Sequence, residues 1–292
     1  MAEMPSREAT VQTRDGLALR RRDWPTERAK GTIVIVHGLG EHIGRYADVA
    51  ARLNANGWSV VGYDQRGHGA SPGARGRIAV EDDLLVDLAA VLDDVRRDPP
   101  KRVVLLGHSL GGLVAGRFVA GGLEPSRPAW QRDVDALVMS SPALDIGMTA
   151  GKRALLATLE RLTPNLGVGN GLDVDAISRD AAVVAAYRGD ALVHDRVAPR
   201  LVRFLADAGP LVRSLAPKWI VPTLLLYAGS DRLVVPAGSA AFAAAAPAGV
   251  VTARAFAPLF HEIFNEPERD EVLAVLTAWL DTLAAPPSRS TT

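Results

Sequence analysis

Five residues, Gly107-His108-Ser109-Leu110-Gly111, hold the strongest chemical signal in this sequence. They follow the apolar run Val103-Val104-Leu105-Leu106 and lead into Gly112-Leu113-Val114, the start of an apolar helix. A serine framed by glycines at a strand-to-helix turn sits in a strained backbone conformation, its side chain held at the helix N-terminus. Free N–H groups and the helix dipole favour negative charge there. That is the setting of a nucleophile. A hydroxyl is a weak one at neutral pH, so a base must take its proton.

Six histidines compete for that role. His37 follows the run Thr32–Val36, His108 is internal to the turn, and His68 reads as a brace in the loop Arg66-Gly67-His68-Gly69. His42 is placed near a cleft and His194 in a helical insertion. Only His261 stands a few residues past the last strand and before the last helix, where a loop can carry it over the serine. An imidazole base must be held in one tautomer, usually by a buried carboxylate. Asp231 closes Leu224-Leu225-Leu226-Tyr227-Ala228-Gly229-Ser230, just past another strand end. Asp64 reads instead as a buttress of its turn, and Asp145 comes too early in the chain. Ser109, Asp231 and His261 are therefore the expected catalytic set. The oxyanion of the tetrahedral intermediate needs two donors, expected to be the backbone N–H groups of Leu110 and of Leu39, in the loop His37-Gly38-Leu39-Gly40.

Elements of matching length position these residues. Asp15-Gly16 signals a hairpin between Thr10–Thr13 and Leu17–Asp23. Thr32–Val36, Trp58–Tyr63, Val103–Leu106, Ala136–Ser140, Thr223–Ala228 and Val250–Phe256 read as strands. Helical spacing intervenes at Tyr46–Leu53, at Leu84–Val95 up to Pro99-Pro100, at Leu110–Ala120, near Pro236–Ala246 and at Val272–Leu283. Such alternation predicts a mostly parallel sheet with helices on both faces. Residues 143–217 break it, with helical patterning and no convincing strand. They are expected to be a helical cap, or lid, across the carboxyl ends of the strands, where open α/β sheets bind ligands; the alternative is helices that cover a sheet edge. The core is then 1–142 together with 218–284, and 285–292 is expected to be a disordered tail.

Composition narrows the function classes. The 292 residues are 48% hydrophobic, and 33 basic residues cancel 33 acidic ones, so no strong field favours nucleic acid or an anionic membrane. The absence of Cys excludes disulfides, thiolate chemistry and cysteine-bound metal. The first residues lack the apolar stretch of a secretory signal, and no run approaches the ~20 apolar residues of a membrane span. A cytoplasmic protein is expected.

The pattern resembles the α/β-hydrolase superfamily, and more narrowly its monoacylglycerol lipase and lysophospholipase-like branch among the serine aminopeptidase S33-type hydrolases. His37-Gly38-Leu39-Gly40-Glu41-His42 with Gly44-Arg45-Tyr46 is similar to that branch's oxyanion-loop signature. Tyr63–Ser71, Gly107–Gly112, Ser178-Arg179-Asp180 with Tyr187 and Asp190, and His261–Arg269 match as well; Ala191 departs, since relatives usually carry Pro there. The resemblance implies an eight-stranded, mostly parallel sheet, a cap inserted after the sixth strand, and a Ser109–Asp231–His261 triad. It implies a serine carboxylester hydrolase for a small lipid ester such as a monoacylglycerol, needing no metal and no organic cofactor. The alternatives that share these residues are a lysophospholipase, a short-chain esterase and a serine aminopeptidase; a non-enzymatic binding protein is the rival from another class.

Glu41 and Arg45 occupy the positions that hold the glycerol end in that branch, although the pair could equally be an ion pair that fixes the loop. With His108 they make the expected polar contacts to substrate. Helical spacing puts Leu155, Leu159 and Leu162 on one face of the insertion, where they are expected to line an acyl tunnel. Contact with a membrane is expected to be transient at most and made through the cap.

Overall fold

The computed structural model describes residues 6–98, 100 and 102–284. The expected tail 285–292 and Pro99 of the expected helix stop lie outside the described residues. Strand β1 (Arg7–Gln12) pairs antiparallel with β2 (Ala18–Trp24) around Gly16, whose φ of +87° suits the tight turn. Then come β3 (Thr32–Val36), α1 (Ala47–Ala55), β4 (Ser59–Tyr63), α2 (Asp83–Val95), β5 (Val103–His108), α3 (Leu110–Ala120) and β6 (Ala136–Ser140). The insertion follows as α4 (Ala150–Leu162), β7 (Val168–Gly169), α5 (Ala181–Gly189), β8 (Arg196–Val197) and α6 (Pro199–Leu215). Strand β9 (Thr223–Ala228), α7 (Pro236–Ala245), β10 (Val251–Phe256) and α8 (Arg269–Ala284) complete the chain.

Eight strands form one sheet in the order β1-β2-β4-β3-β5-β6-β9-β10, and only β2 runs against the others. Central strands are mostly apolar and buried along nearly their whole length because helices cover both faces. Leu84, Leu113, Phe118, Val212 and Phe242 bury one face, and Val49, Leu53, Val272, Leu276 and Leu280 bury the other. Burial of this kind stabilises by roughly 25 cal/mol per Å² of apolar surface.

Topology aims the site. From β3 the chain moves to β4 on one side and then returns to β5 on the other, so the loops after β3 and β5 diverge and leave a crevice between them. Val36 lies opposite Gly107, His108 opposite Ser140 and Ser140 opposite Leu226, so four strands end together at one sheet edge.

The insertion differs from expectation in one detail: Val168–Gly169 and Arg196–Val197 pair as a two-stranded antiparallel ribbon. Two-residue strands are too short to show an alternating pattern. Pro210, inside α6, cannot donate to the Ala206 carbonyl, which instead accepts from Arg153 Nη2 on α4 at 3.1 Å.

Candidate active site

Three backbone constraints build the turn after β5. Ser109 has φ +54°, unusual for a residue with a side chain and a place where strain is stored. A Cβ on Gly107 would lie 2.2 Å from the Gly111 carbonyl oxygen, and one on Gly111 2.0 Å from that of Val36. Only glycine fits either position, because strand, turn and helix touch backbone to backbone. The Ser109 N–H donates to the Ser140 carbonyl at 3.0 Å, which holds the turn against β6.

His261 and Asp231 arrive from the ends of β10 and β9. His261 Nδ1 lies 2.7 Å from Asp231 Oδ2, and the two side chains are 6% and 1% exposed. Asp231 Oδ1 also accepts from the Leu233 and Val234 N–H groups at 2.9 and 3.0 Å. Burial opposes ionisation of Asp231, but the neighbouring His261 with its hydrogen bond and the two amides outweigh burial and hold the carboxyl below its usual range. An ionised carboxylate only accepts, so the shared proton sits on Nδ1 and leaves the Nε2 lone pair free. Ser109 and His261 line the same cavity. No hydrogen bond joins Ser109 Oγ to His261 among the described residues, a bond that often tightens only with substrate bound.

Leu39 and Leu110, the expected oxyanion donors, line the same cavity as the serine. Leu110 opens α3, so its N–H has no acceptor within the helix. The Gly38 N–H is taken by Glu41 Oε1 at 2.5 Å, and Leu39, the expected donor of that loop, lines the cavity. A Cβ on Gly38 would lie 3.3 Å from Ser109 Cβ, so the loop and the serine are in contact range. His108 lines the cavity too; its Nδ1 sits 3.1 Å from the Ser140 carbonyl, and burial, then the nearby His261, push the ring down to about 3. Its Nδ1 is held by Ser140 and not by a carboxylate, which sets it apart from His261.

The cavity encloses about 200 Å³. Of the three residues expected to contact substrate, Glu41 and His108 line it and Arg45 does not. Arg45 is engaged on all sides: Nη1 lies 2.7 Å from Glu41 Oε2 and 2.6 Å from Glu262 Oε1, and the Tyr187 ring covers its guanidinium at 4.7 Å. Burial would raise the Glu41 carboxyl, but the Arg45 charge beside it does most to outweigh burial and hold it at about 2. The ion-pair alternative describes Arg45.

Leu155, Leu159 and Leu162 are a second correction. They are 60%, 40% and 72% exposed and line no part of the cavity. Helix α4 buries Leu156 and meets α6 through Arg153–Asp207 and Glu160–Arg203 ion pairs, which turns the leucine stripe outward. Spacing identifies a stripe but not the surface it meets. The apolar wall is instead Ile146, Ile177, Val202, Leu205, Leu233 and Val234. Leu205 lies in α6, and nothing in its spacing separates core from cavity. Among the other polar groups, Asp64 accepts from the Ile43 and Ala70 N–H groups, each at 2.8 Å, and braces its turn. His42 pairs with Asp190 of the insertion at 2.7 Å.

The chain is similar to known proteins over most of its length. The family described as serine aminopeptidase, S33, matches residues 27–268. A monoacylglycerol lipase of Mycolicibacterium smegmatis is 34% identical over 88% of this chain and 90% of its own length. The phospholipase YtpA of Bacillus subtilis is 32% identical over 88% of this chain and 98% of its own. The crystal structure of Paleococcus ferrophilus monoacylglycerol lipase superposes with a TM-score of 0.80 at 33% identity, covering 91% of this chain and 99% of that one.

Proposed function

We propose, from the premise that this chain belongs to the serine aminopeptidase S33 family, that it hydrolyses a neutral single-chain lipid ester such as a monoacylglycerol through an acyl-enzyme on Ser109. The chain is a lipase-like serine ester hydrolase of the α/β-hydrolase fold. What carries the finer reading is the convergence on one cavity of Ser109, of a buried His261–Asp231 pair at 2.7 Å, and of an apolar wall.

His261 Nε2 takes the Ser109 proton as Oγ attacks the ester carbonyl. The Leu39 and Leu110 N–H groups receive the oxyanion. The carbon–oxygen bond to the alcohol then breaks, and His261 returns the proton to the departing oxygen. Water gives a proton to His261, attacks the acyl carbon, and releases the fatty acid as the proton goes back to Ser109. Substrate is the only partner this chemistry needs.

Residues 143–217 act in this reading as a cap over a core of 1–142 and 218–284; the support is that Ile146, Ile177, Tyr187, Val202 and Leu205 all reach the cavity from the insertion. A panel of monoacylglycerols, lysophospholipids, p-nitrophenyl esters and aminoacyl-naphthylamides, compared by kcat/KM, tests the substrate class. Monoacylglycerols are expected to lead, and a dominant aminopeptidase rate would overturn the lipid reading.

No helix among the described residues is long and apolar enough to cross a membrane. The outward Leu155, Leu159 and Leu162, continued by exposed Leu166 and Val168, support a transient contact between the cap and a lipid surface. Co-sedimentation with phosphatidylcholine vesicles is expected for the native protein and should be lost when the three leucines become serine; equal pelleting of both would remove the idea. A cytoplasmic location remains part of the proposal and is checked by fractionating cells that express the protein.

A further inference from the structure

We infer that Glu262 is a positioning residue, which through Arg45 and Glu41 locks the loop carrying the base His261 to the loop carrying the oxyanion donor Leu39. The inference rests on the proposed roles of Ser109, His261 and Leu39. At one end of the chain of contacts, Glu262 is covalently next to His261, and its N–H donates to the Ile177 carbonyl of the insertion at 2.8 Å. Its carboxylate takes both forks of Arg45, Nη1 at 2.6 Å and Nη2 at 2.7 Å, and also the Asn265 amide at 2.8 Å. Arg45 Nη1 reaches on to Glu41 Oε2 at 2.7 Å. Glu41 Oε1 then accepts from Tyr46 Oη at 2.7 Å and from the Gly38 N–H at 2.5 Å. The far end is therefore one residue from Leu39.

Stability is a poor reason to keep such a cluster. Two carboxylates share one guanidinium, with side chains 4%, 6% and 11% exposed for Glu41, Glu262 and Arg45. The cost of desolvating buried charges can exceed their attraction, and apolar side chains of similar volume often stabilise as well. A bidentate guanidinium–carboxylate contact does supply direction, fixing both distance and angle between two loops. Glycerol recognition is a poor reason too. Glu262 lines the main cavity, but Arg45, which takes both of its oxygens, does not, and the space Arg45 borders with Glu262 and Asn265 is about 10 Å³, room for about one water.

Glu262→Gln and Arg45→Lys test the inference, each assayed with a monoacylglycerol and a p-nitrophenyl ester of the same acyl chain. Both variants are expected to lose about 10- to 100-fold in kcat on both substrates, with KM nearly unchanged, because displacing either loop spoils the attack geometry whatever alcohol departs. Glu262→Gln leaves one carboxylate with one guanidinium, so its Tm should stay close to that of the native protein; should it not fold, Arg45→Lys carries the same comparison. A loss confined to the monoacylglycerol would make these residues headgroup contacts, and a lowered Tm with unchanged kcat would make them packing alone. Either result overturns the inference. Fluorophosphonate labelling separates it from its premise: a native protein that takes no label fails the hydrolase reading, whereas variants labelled at the native rate fail only this inference.

Discussion

Asp231→Asn is expected to lower kcat for ester hydrolysis by about 10⁴-fold while leaving the fold intact. Asp231 accepts on both oxygens: Oδ1 from the Leu233 and Val234 N–H groups, Oδ2 from His261 Nδ1. An asparagine that keeps its oxygen toward those two amides must turn its NH₂ toward His261. The ring can then meet it only with an unprotonated Nδ1, so the proton moves to Nε2 and the lone pair that should accept from Ser109 is gone. The substituted side chain keeps its size and its backbone contacts, which is why the damage should appear in turnover and not in Tm. Steady-state kinetics with a p-nitrophenyl ester, beside thermal melting, checks this. A loss below about tenfold would mean that the carboxylate does not set the tautomer of a working base.

The core of the fold and the gathering of Ser109, Asp231 and His261 were legible for one physical reason. Strands buried on both faces are written as short apolar runs, such as Thr32–Val36 and Val103–Leu106, and the residues just past such runs stand at the sheet edge where ligands bind. The two glycines of the turn after β5 mark the same place, since backbone contacts at 2.0 and 2.2 Å exclude any Cβ. The insertion between β6 and β9 was less legible. Helical spacing marked Leu155, Leu159 and Leu162 as a stripe, but whether a stripe meets core, cavity or solvent depends on the neighbour, and α4 meets α6 with its other face. The Arg45–Glu262 pair spans 217 positions and has no local pattern at all. Ion pairs between loops are set by topology, and one sequence leaves them unseen.

Ser109→Ala carries the largest expected effect, a loss of about 10⁵- to 10⁶-fold in turnover, because no acyl-enzyme can form without the hydroxyl. The residual rate would come from the oxyanion donors and substrate binding alone. Turnover by itself can be blurred by a trace of contaminating esterase, so a covalent readout is sharper. A fluorophosphonate reacts only with a hydroxyl that a base activates beside an oxyanion site, and intact-protein mass spectrometry counts the adducts. With the native protein one adduct should form and map by peptide analysis to Ser109, and none should form with Ser109→Ala. A native protein that stays unmodified, or an alanine variant that is still labelled, would contradict the convergence of Ser109, His261 and Asp231 on which the proposed chemistry stands.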